Sequence, residues 1–164
     1  MEYAGDLQSF ELDGGILSFD FMKGILVCRE ADGERRKRWV KKLEGVNRVE
    51  NVIEDDEKYY VACENGDANG HFLALDKPTG ATEWFIPGKS FLQLFYNGGL
   101  YLIFVDGSMC HHLLRVDTAD GATVWHHGVD EDLAEYSFRA RRIVLRYASG
   151  RVEVLDAERG SRVS

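Results

Sequence analysis

The chain has 164 residues, enough for one domain with its own core, and its composition of 45% hydrophobic and 29% charged residues is that of a folded globular protein. Its net charge of -8 disfavours nonspecific binding to nucleic acid or anionic membranes, because the long-range field repels phosphate. The N-terminus lacks a secretory signal pattern, and the longest apolar run, Leu100 to Val105, is too short to cross a membrane. We therefore expect a cytoplasmic protein that binds neither nucleic acid nor membrane.

Short strand patterns separated by Gly, Asp and Asn turns recur along the chain, and no ten-residue stretch has a convincing helical period. The predicted strands are 7–12, 16–21, 25–30, 37–42, 47–53, 58–65, 71–76, 81–86, 90–96, 100–106, 111–117, 122–127, 135–141, 142–147, 151–156 and 161–164. They form four groups, with approximate bounds 1–45, 46–88, 89–130 and 131–164. This predicts one all-β domain of about four four-stranded antiparallel blades, the unit of a β-propeller.

An internal repeat of about forty residues supports this grouping. It is marked by four turn glycines, Gly33, Gly80, Gly121 and Gly160. All three tryptophans, Trp39, Trp84 and Trp125, lie a few residues after one of these glycines. In the second and third units an Asp precedes the Gly by four residues and the Trp follows it by four.

This pattern resembles the tryptophan-docking motif of the pyrroloquinoline-quinone (PQQ) dehydrogenase repeat, which also occurs in many propellers that bind no quinone. The resemblance implies that the Asp-to-Gly stretch is the hairpin between the two outer strands of a blade, and that the Trp packs across the interface with a neighbouring blade. The residues that carry it are Asp76, Gly80, Trp84, Asp117, Gly121, Trp125, Asp156 and Gly160. The first unit has Arg29 in place of the Asp and its Trp39 two residues late, which predicts a longer or bulged hairpin there; the fourth has Ser164 in place of the Trp.

The resemblance covers nearly the whole chain but does not extend to the chemistry of the quinone enzymes. Their calcium site, catalytic Asp and adjacent cysteines have no counterpart here, and the chain is about a quarter of the length such enzymes need. Phosphate-loop, nucleophile-elbow and zinc-protease motifs are also missing from the sequence. We expect no PQQ and no enzymatic activity. The four blades either close into a small ring or are shared between two copies, a homodimer with eight blades.

Four histidines are the candidate metal ligands. His111 and His112 open one predicted strand, and His126 and His127 close the next. If Asp117 lies opposite Ala122, the ladder pairs His112 with His127, close enough to share a divalent metal ion, with Cys110 nearby. Exposed imidazoles on outer strands are the alternative interpretation.

Three other features have plain structural interpretations. Cys28, Cys63 and Cys110 are odd in number and widely spaced, which predicts reduced thiols within strands. The basic stretch Glu34–Lys42 suits an edge strand that resists aggregation, or else an acidic partner. The acidic runs Glu54–Glu57 and Asp130–Glu135 suit solvated loops.

The fold class and the lack of catalytic motifs favour a non-enzymatic protein-binding or scaffold module that presents loops to a protein or peptide partner. Candidate contact residues, equally compatible with a core role, are Phe91, Phe95, Tyr96 and Arg139. One alternative is a small-molecule or metal-binding protein that uses the histidines. Another is a structural part of a larger propeller assembly.

Overall fold

Fifteen β-strands make up the regular secondary structure of residues 7–66 and 69–163, which the computed structural model of the chain describes. They are β1 (Leu7–Leu12), β2 (Gly15–Asp20), β3 (Ile25–Arg29), β4 (Lys37–Lys42), β5 (Arg48–Glu54), β6 (Lys58–Glu64), β7 (Gly70–Asp76), β8 (Thr82–Pro87), β9 (Lys89–Tyr96), β10 (Gly99–Val105), β11 (His111–Val116), β12 (Thr123–Val129), β13 (Leu133–Arg139), β14 (Arg142–Tyr147) and β15 (Val152–Asp156). The described residues include no helix that is long and apolar enough to span a membrane.

The strands form four antiparallel sheets in which sequence neighbours are spatial neighbours. The first sheet has the order β1-β2-β3-β4, the second β5-β6-β7-β8, the third β9-β10-β11-β12 and the fourth β13-β14-β15. This all-β, β-propeller-like arrangement confirms the predicted fold class.

The chain divides into two compact units, the first ending at Ser90 and the second beginning at Phe91. In the first unit, the first and second sheets enclose an apolar cluster that includes Leu17, Phe19, Leu26, Val61 and Leu75. In the second unit, the third and fourth sheets enclose a cluster that includes Ile103, Leu113, Ile143, Leu145 and Leu155. Each unit thus consists of two sheets packed on a shared core.

The fourth sheet departs from the predicted count of strands. The predicted strand at 161–164 is replaced by a single bridge between Leu155 and Arg162, and Ser164 lies outside the described residues. Two backbone hydrogen bonds hold this short segment beside β15, from Asp156 N–H to the Ser161 carbonyl and from Val163 N–H to the Val154 carbonyl, each 2.8 Å. The sheet therefore has three strands where the others have four.

The repeated Asp and Gly shape the hairpin before each outer strand position. Asp76 accepts the Thr79 backbone N–H at 3.1 Å and the Thr79 hydroxyl at 2.6 Å, and Gly80 closes the turn at a φ of 75°. Asp156 and Gly160 repeat this geometry, with a φ of 70° at the glycine. Glycine adopts this left-handed conformation without the strain that a side chain would cause. The Asp and Gly of the motif therefore determine the turn locally.

The hairpin of the first sheet is longer, as predicted. It spans residues 30–36, against 77–81 in the second sheet, and its third and fourth strands also shift register beside Arg29. The bulge itself is no peculiarity of this hairpin, because β7–β8 and β11–β12 carry one at the corresponding position.

Two tryptophans lie on the hairpin of the next sheet within their unit. Trp39 donates its indole N–H to the Lys77 carbonyl at 2.8 Å, and its ring covers Gly80 so closely that a Cβ there would overlap it. Trp125 donates to the Ala157 carbonyl at 3.1 Å and covers Gly160 in the same way. Trp84 is buried beside the rings of its own sheet.

Candidate functional site

A cavity of about 560 Å³ opens in the second unit between the third and fourth sheets. Its walls come from the loop before β11, the end of β12 and the outer edge of β15. Its lining includes Cys110, His111, Val129, Arg151, Glu153 and Arg162. We call it the β15 cavity. A smaller groove of about 210 Å³ shares Arg151, Glu153 and Arg162 with it and continues along Val152, Val154 and Val163.

The site borders β15, beside which the described residues 161–163 lie. Antiparallel strands direct the main-chain groups of alternate residues to opposite neighbours. Asp156 and Val154 bond outward to residues 161 and 163, whereas the Arg151 carbonyl accepts a bond from Tyr147 of β14. The N–H and C=O of Val152 therefore point outward, where no residue of the described ranges 7–66 and 69–163 pairs with them. Val152 is also 47% exposed.

Glu153 forms the floor of the cavity, and its side chain is only 5% exposed. A buried carboxylate is costly unless hydrogen bonds and opposite charge compensate it. Tyr147 donates to one oxygen at 2.6 Å, and His127 at 2.9 Å and Arg162 at 3.1 Å lie against the other. Arg151 lies 3.5 Å from the carboxylate and also pairs with Asp130.

These contacts determine the protonation states of Glu153 and Tyr147. Burial by itself raises the pKa of Glu153, but the Tyr147 hydrogen bond and the charge and hydrogen bond of His127 outweigh it, so the pKa lies below the ordinary value of 4.5. The pKa of Tyr147 is raised, first by burial and then by its bond to Glu153. Glu153 is therefore a carboxylate at neutral pH, and Tyr147 is its permanent donor.

The predicted pairing of His112 with His127 is wrong. A bulge between Arg115 and Val116 shifts the ladder by one residue, so His112 lies opposite Gly128 and His127 opposite Leu113. Because side chains alternate between faces, His127 points to the fourth sheet and His112 to the opposite face of β11. There, His112 binds Asp106 at 2.9 Å, and its ring lies 5.9 Å from that of His126.

The register thus places His111 and His127 on one face of the sheet and His112 and His126 on the other, with no two of them directly opposite each other. His111 lines the cavity, stacks on Phe91 at 6.1 Å between ring centroids, and has a buried Nδ1 without a hydrogen-bond partner. In the described ranges, no group of three or more His, Cys, Asp or Glu side chains is arranged to hold a metal ion. Metal binding by these histidines stays a prediction.

The cysteines divide by burial. Cys28 and Cys63 lie in strands and are buried, and burial raises the pKa of both thiols, that of Cys63 to about 12. Cys110 is also a free thiol, but its predicted place in a strand is wrong, because it is exposed and precedes β11 in a turn held by Asp106.

The four residues that were predicted as partner contacts differ in their exposure. Tyr96 donates its hydroxyl to the Ala140 carbonyl at 2.5 Å, Phe91 and Arg139 are exposed, and Phe95 is half-buried.

The basic stretch contributes β4, an edge strand. Its Arg38 turns inward and donates hydrogen bonds to Glu30 and to Tyr59, each at 2.8 Å. The acidic runs are not free solvated charge throughout, since Glu54 pairs with Lys77 and Asp130 with Arg151.

The central residues of the cavity, Arg151, Glu153 and Arg162, are ones that the sequence motifs did not single out. A compositional signal could have found them: residues 139–163 contain seven arginines, no lysine and three carboxylates within a chain of net charge -8. This second local excess of positive charge, besides the basic stretch Glu34–Lys42, lies in the segment that forms most of the fourth sheet.

No family model and no curated protein matches this sequence. Solved structures do: BamB from Moraxella catarrhalis matches with 23% identity and a TM-score of 0.64, covering 100% of this chain and 49% of that one. A quinohaemoprotein alcohol dehydrogenase from Pseudomonas putida matches with 11% identity and a TM-score of 0.66, covering 95% and 33%. The Dos1 propeller matches with 16% identity and a TM-score of 0.57, covering 92% and 44%.

These likenesses show the fold, which is that of a β-propeller. The chain spans about half the length of the first of these structures and less of the others. At such identities the activities of those proteins do not transfer to this chain.

Proposed function

We propose that the protein is a non-enzymatic module that binds another protein through the β15 cavity and the arginine-rich surface of the fourth sheet. The observation that carries the proposal is the β15 cavity, which has a volume of about 560 Å³ and is lined by the charged side chains of Arg151, Glu153 and Arg162. Concave sites with a few convergent polar groups are where proteins most often bind other molecules.

The chemistry of the surrounding surface supports a protein partner. On the face of the fourth sheet opposite the core, Arg142 and Arg146 are exposed and flank the half-buried Val144. Arginine is enriched at protein interfaces because its planar guanidinium makes several hydrogen bonds while its stem covers apolar surface.

The state of Glu153 supports a binding role over a catalytic one. Its two oxygens already face Tyr147, His127 and Arg162, and its lowered pKa keeps it ionised at neutral pH. A general acid or base works best with a pKa near the operating pH and with access to a substrate proton. Glu153 has neither property, so it stabilises the floor of the cavity.

The test is a comparison of proteins captured from a cell lysate by the wild type and by two double variants. Arg142→Glu with Arg146→Glu reverses charge on the fourth sheet, and Arg35→Glu with Arg36→Glu is the matched control on the exposed first hairpin. We expect a partner that the control retains and the fourth-sheet variant loses, followed by affinity at least about tenfold weaker for that variant with the purified partner. Capture that both variants reduce equally, or neither reduces, would contradict the proposal.

A second candidate is binding of a metal ion or small molecule in the same cavity. It is favoured by His111, whose buried Nδ1 has no hydrogen-bond partner and which lines the cavity with Cys110. Zinc titration of untagged protein, with His111→Ala as the comparison, tests it. Stoichiometric zinc that is lost in the variant would favour this candidate, and equal uptake by both proteins would reject it.

A further inference from the structure

We infer that β4 forms a second docking surface, which binds an extended acidic segment of a partner protein as a further strand. This surface lies in the first unit and does not depend on the β15 cavity. Three observations carry the inference: basic side chains that the equivalent strands lack, outward main-chain groups, and a groove with apolar walls beside the strand.

The basic character of β4 is not shared by the strands in equivalent positions. β4, β8 and β12 each lie last in a four-stranded sheet, and each carries one tryptophan. Four of the six residues of β4 are Lys or Arg, whereas β8 and β12 contain neither. Lysines on an edge strand discourage aggregation, but this fold forms two other outer strands without them. The charge of β4 is therefore not a requirement of the fold.

The lysines of β4 keep their charge available at the surface. Arg38 is held in an inward ion pair, but Lys37 and Lys41 form no ion pair with any carboxylate that the structure describes. Lys42 donates to a neutral group, the Lys23 carbonyl, at 2.6 Å. Lys37 and Lys42 are exposed, and Lys41 is half-buried. Their ammonium groups favour a partner that brings carboxylates to this strand.

The main chain of β4 has hydrogen-bonding groups for a further strand. The Leu43 N–H donates to the Gly24 carbonyl on the side of β3, at 2.8 Å. Because antiparallel strands direct alternate residues to opposite neighbours, Lys41 also faces β3, and the N–H and C=O of Val40 and Lys42 point outward. Within the described parts of the chain, no residue pairs with these groups. Val40 is also 50% exposed.

β8 shows how the same fold blocks this position. Pro87 has the place in β8 that Lys42 has in β4, three residues after the tryptophan. The next residue, Gly88, donates to the Gly70 carbonyl of the inner neighbour at 2.8 Å, so Pro87 faces outward. Proline has no N–H to offer an added strand. β4 keeps the donor that β8 lacks.

A groove of about 390 Å³ lies beside β4, on the side of the second sheet. Its walls include Lys41, Leu43, Val46, Leu73 and the exposed Phe85. An added strand would direct alternate side chains to this groove and to the opposite face, which carries Lys37 and Lys42. We therefore expect a segment in which apolar side chains, toward the groove, alternate with carboxylates beside these two lysines.

Charge and shape favour this occupant over two others. Two copies of the protein could pair their β4 strands only by bringing lysines close to lysines, which repel each other. A nucleic-acid strand would supply phosphates, but it has no peptide groups to pair with the main chain of Val40 and Lys42. An acidic peptide segment satisfies the charge, the main chain and the groove together.

The experiment compares two synthetic peptides of about eight residues, one of alternating Val and Glu and one of alternating Val and Lys, by calorimetry and amide hydrogen exchange. We expect the Glu peptide to bind at least about tenfold more tightly, with slowed exchange at the Val40 and Lys42 amides. Equal affinities, no binding of either peptide at about 1 mM, or unchanged exchange at both amides would overturn the inference.

Reversal of charge tests the role of the lysines. Lys37→Glu with Lys42→Glu should weaken binding of the Glu peptide at least about tenfold and make the Lys peptide the tighter ligand. Arg142→Glu with Arg146→Glu makes the same change of charge on the fourth sheet and is the matched control. It should leave the affinity within about twofold of the wild type. Equal losses in the two double variants would contradict a site on β4.

Substitutions at Lys42 separate strand addition from charge attraction. Lys42→Pro copies Pro87 of β8 and removes the outward N–H, whereas Lys42→Ala removes the same charge and keeps the N–H. We expect the Pro variant to bind the Glu peptide at least about tenfold more weakly than the Ala variant. Equal affinities would overturn strand addition. If the Pro variant does not fold, protection of the wild-type amides decides.

The outcomes distinguish this surface from that of the proposed function. A partner held at β4 should be lost by the variant at Lys37 and Lys42 and kept by the variant at Arg142 and Arg146, the reverse of the result expected for a partner of the fourth sheet. Self-association in light scattering that protects the Val40 and Lys42 amides, or tighter binding of a single-stranded oligonucleotide than of the Glu peptide, would overturn the acidic-segment inference.

Discussion

The two units use the same framework but complete it differently. In each, a tryptophan of one sheet lies on the turn glycine of the next and donates to the carbonyl after the hairpin Asp, at Lys77 in the first unit and at Ala157 in the second. In the first unit, β8 then covers the outer edge of β7, with the exposed Phe85 opposite Leu73. In the second unit, residues 161–163 lie beside the end of β15.

The interiors of the two units differ at one matching position, which is apolar in the first unit and charged in the second. Leu73 packs against the apolar core of the first unit, whereas the matching Glu153 gathers Tyr147, His127 and Arg162 around it. A buried charge of this kind seldom adds stability over a well-packed apolar residue. The comparison indicates that the first unit is built for packing and that the second gives up packing at the site that we propose to be functional.

The largest expected effect tests the feature that the units share. Trp39→Ala and Trp125→Ala should each lower the free energy of unfolding by about 3–5 kcal/mol, with Trp39 at the upper end because it is more deeply buried. Trp84→Ala should cost a similar amount. Urea denaturation measures these changes, with Val124→Ala at an exposed position as the control. Unchanged stability in all three variants would remove the packing role assigned to the tryptophans.

Substitutions of the turn glycines separate backbone strain from indole contact. Gly80→Ala and Gly160→Ala should each cost about 2 kcal/mol or more, because φ is left-handed and the Cβ meets a tryptophan. Gly45→Ala, with a φ of 71° and open space around it, should cost about 1 kcal/mol for strain alone. Gly33→Ala has neither problem and should be close to neutral. Equal losses at Gly45 and Gly80 in thermal melts would argue against a tight indole contact.

A smaller effect than that of the tryptophans is expected in the polar interior of the second unit. Glu153→Gln should cost about 1–3 kcal/mol at neutral pH, because the charge opposite His127 and Arg162 is lost. The folded-state pKa of Glu153 is lowered, so its stabilisation is present above the ordinary carboxyl pKa of 4.5 and is lost as pH falls through the folded-state value. The wild type should therefore lose more stability than the variant on acidification.

Denaturation midpoints from pH 7 to pH 3 would measure this difference between the two proteins, a range chosen around the ordinary carboxyl pKa. Glu131→Gln, an exposed carboxyl at the rim of the cavity, is the control and should follow the wild type. Parallel pH curves for Glu153→Gln and the wild type would show that the cluster contributes no ion pairing of consequence.

Most strands were predictable because their determinants are local. Alternating apolar residues and Gly or Asp turns placed β1, β4 and β14 at their observed bounds and most others within two residues. The hairpin residues Asp76 and Asp156 act on backbone groups two or three positions away, so the motif can be interpreted without knowledge of the fold.

The candidate site was less predictable, because one residue of register decides it. The bulge beside Arg115 moves every later pair of β11 and β12, so His127 reaches Glu153 and not His112. The same bulge occurs at the corresponding position of β3–β4 and β7–β8, but the sequence alignment assumed a regular ladder and therefore missed its effect on the register.

The sequence by itself determined the all-β class, the four sheets and the turn chemistry between their strands, since these depend on periodicity and on residues close together in the chain. The tertiary structure alone decided that Glu153 meets His127 and Tyr147, and that the outer edge of β15 borders a cavity. These features depend on the register of one sheet and its packing against another, which join residues far apart in the chain.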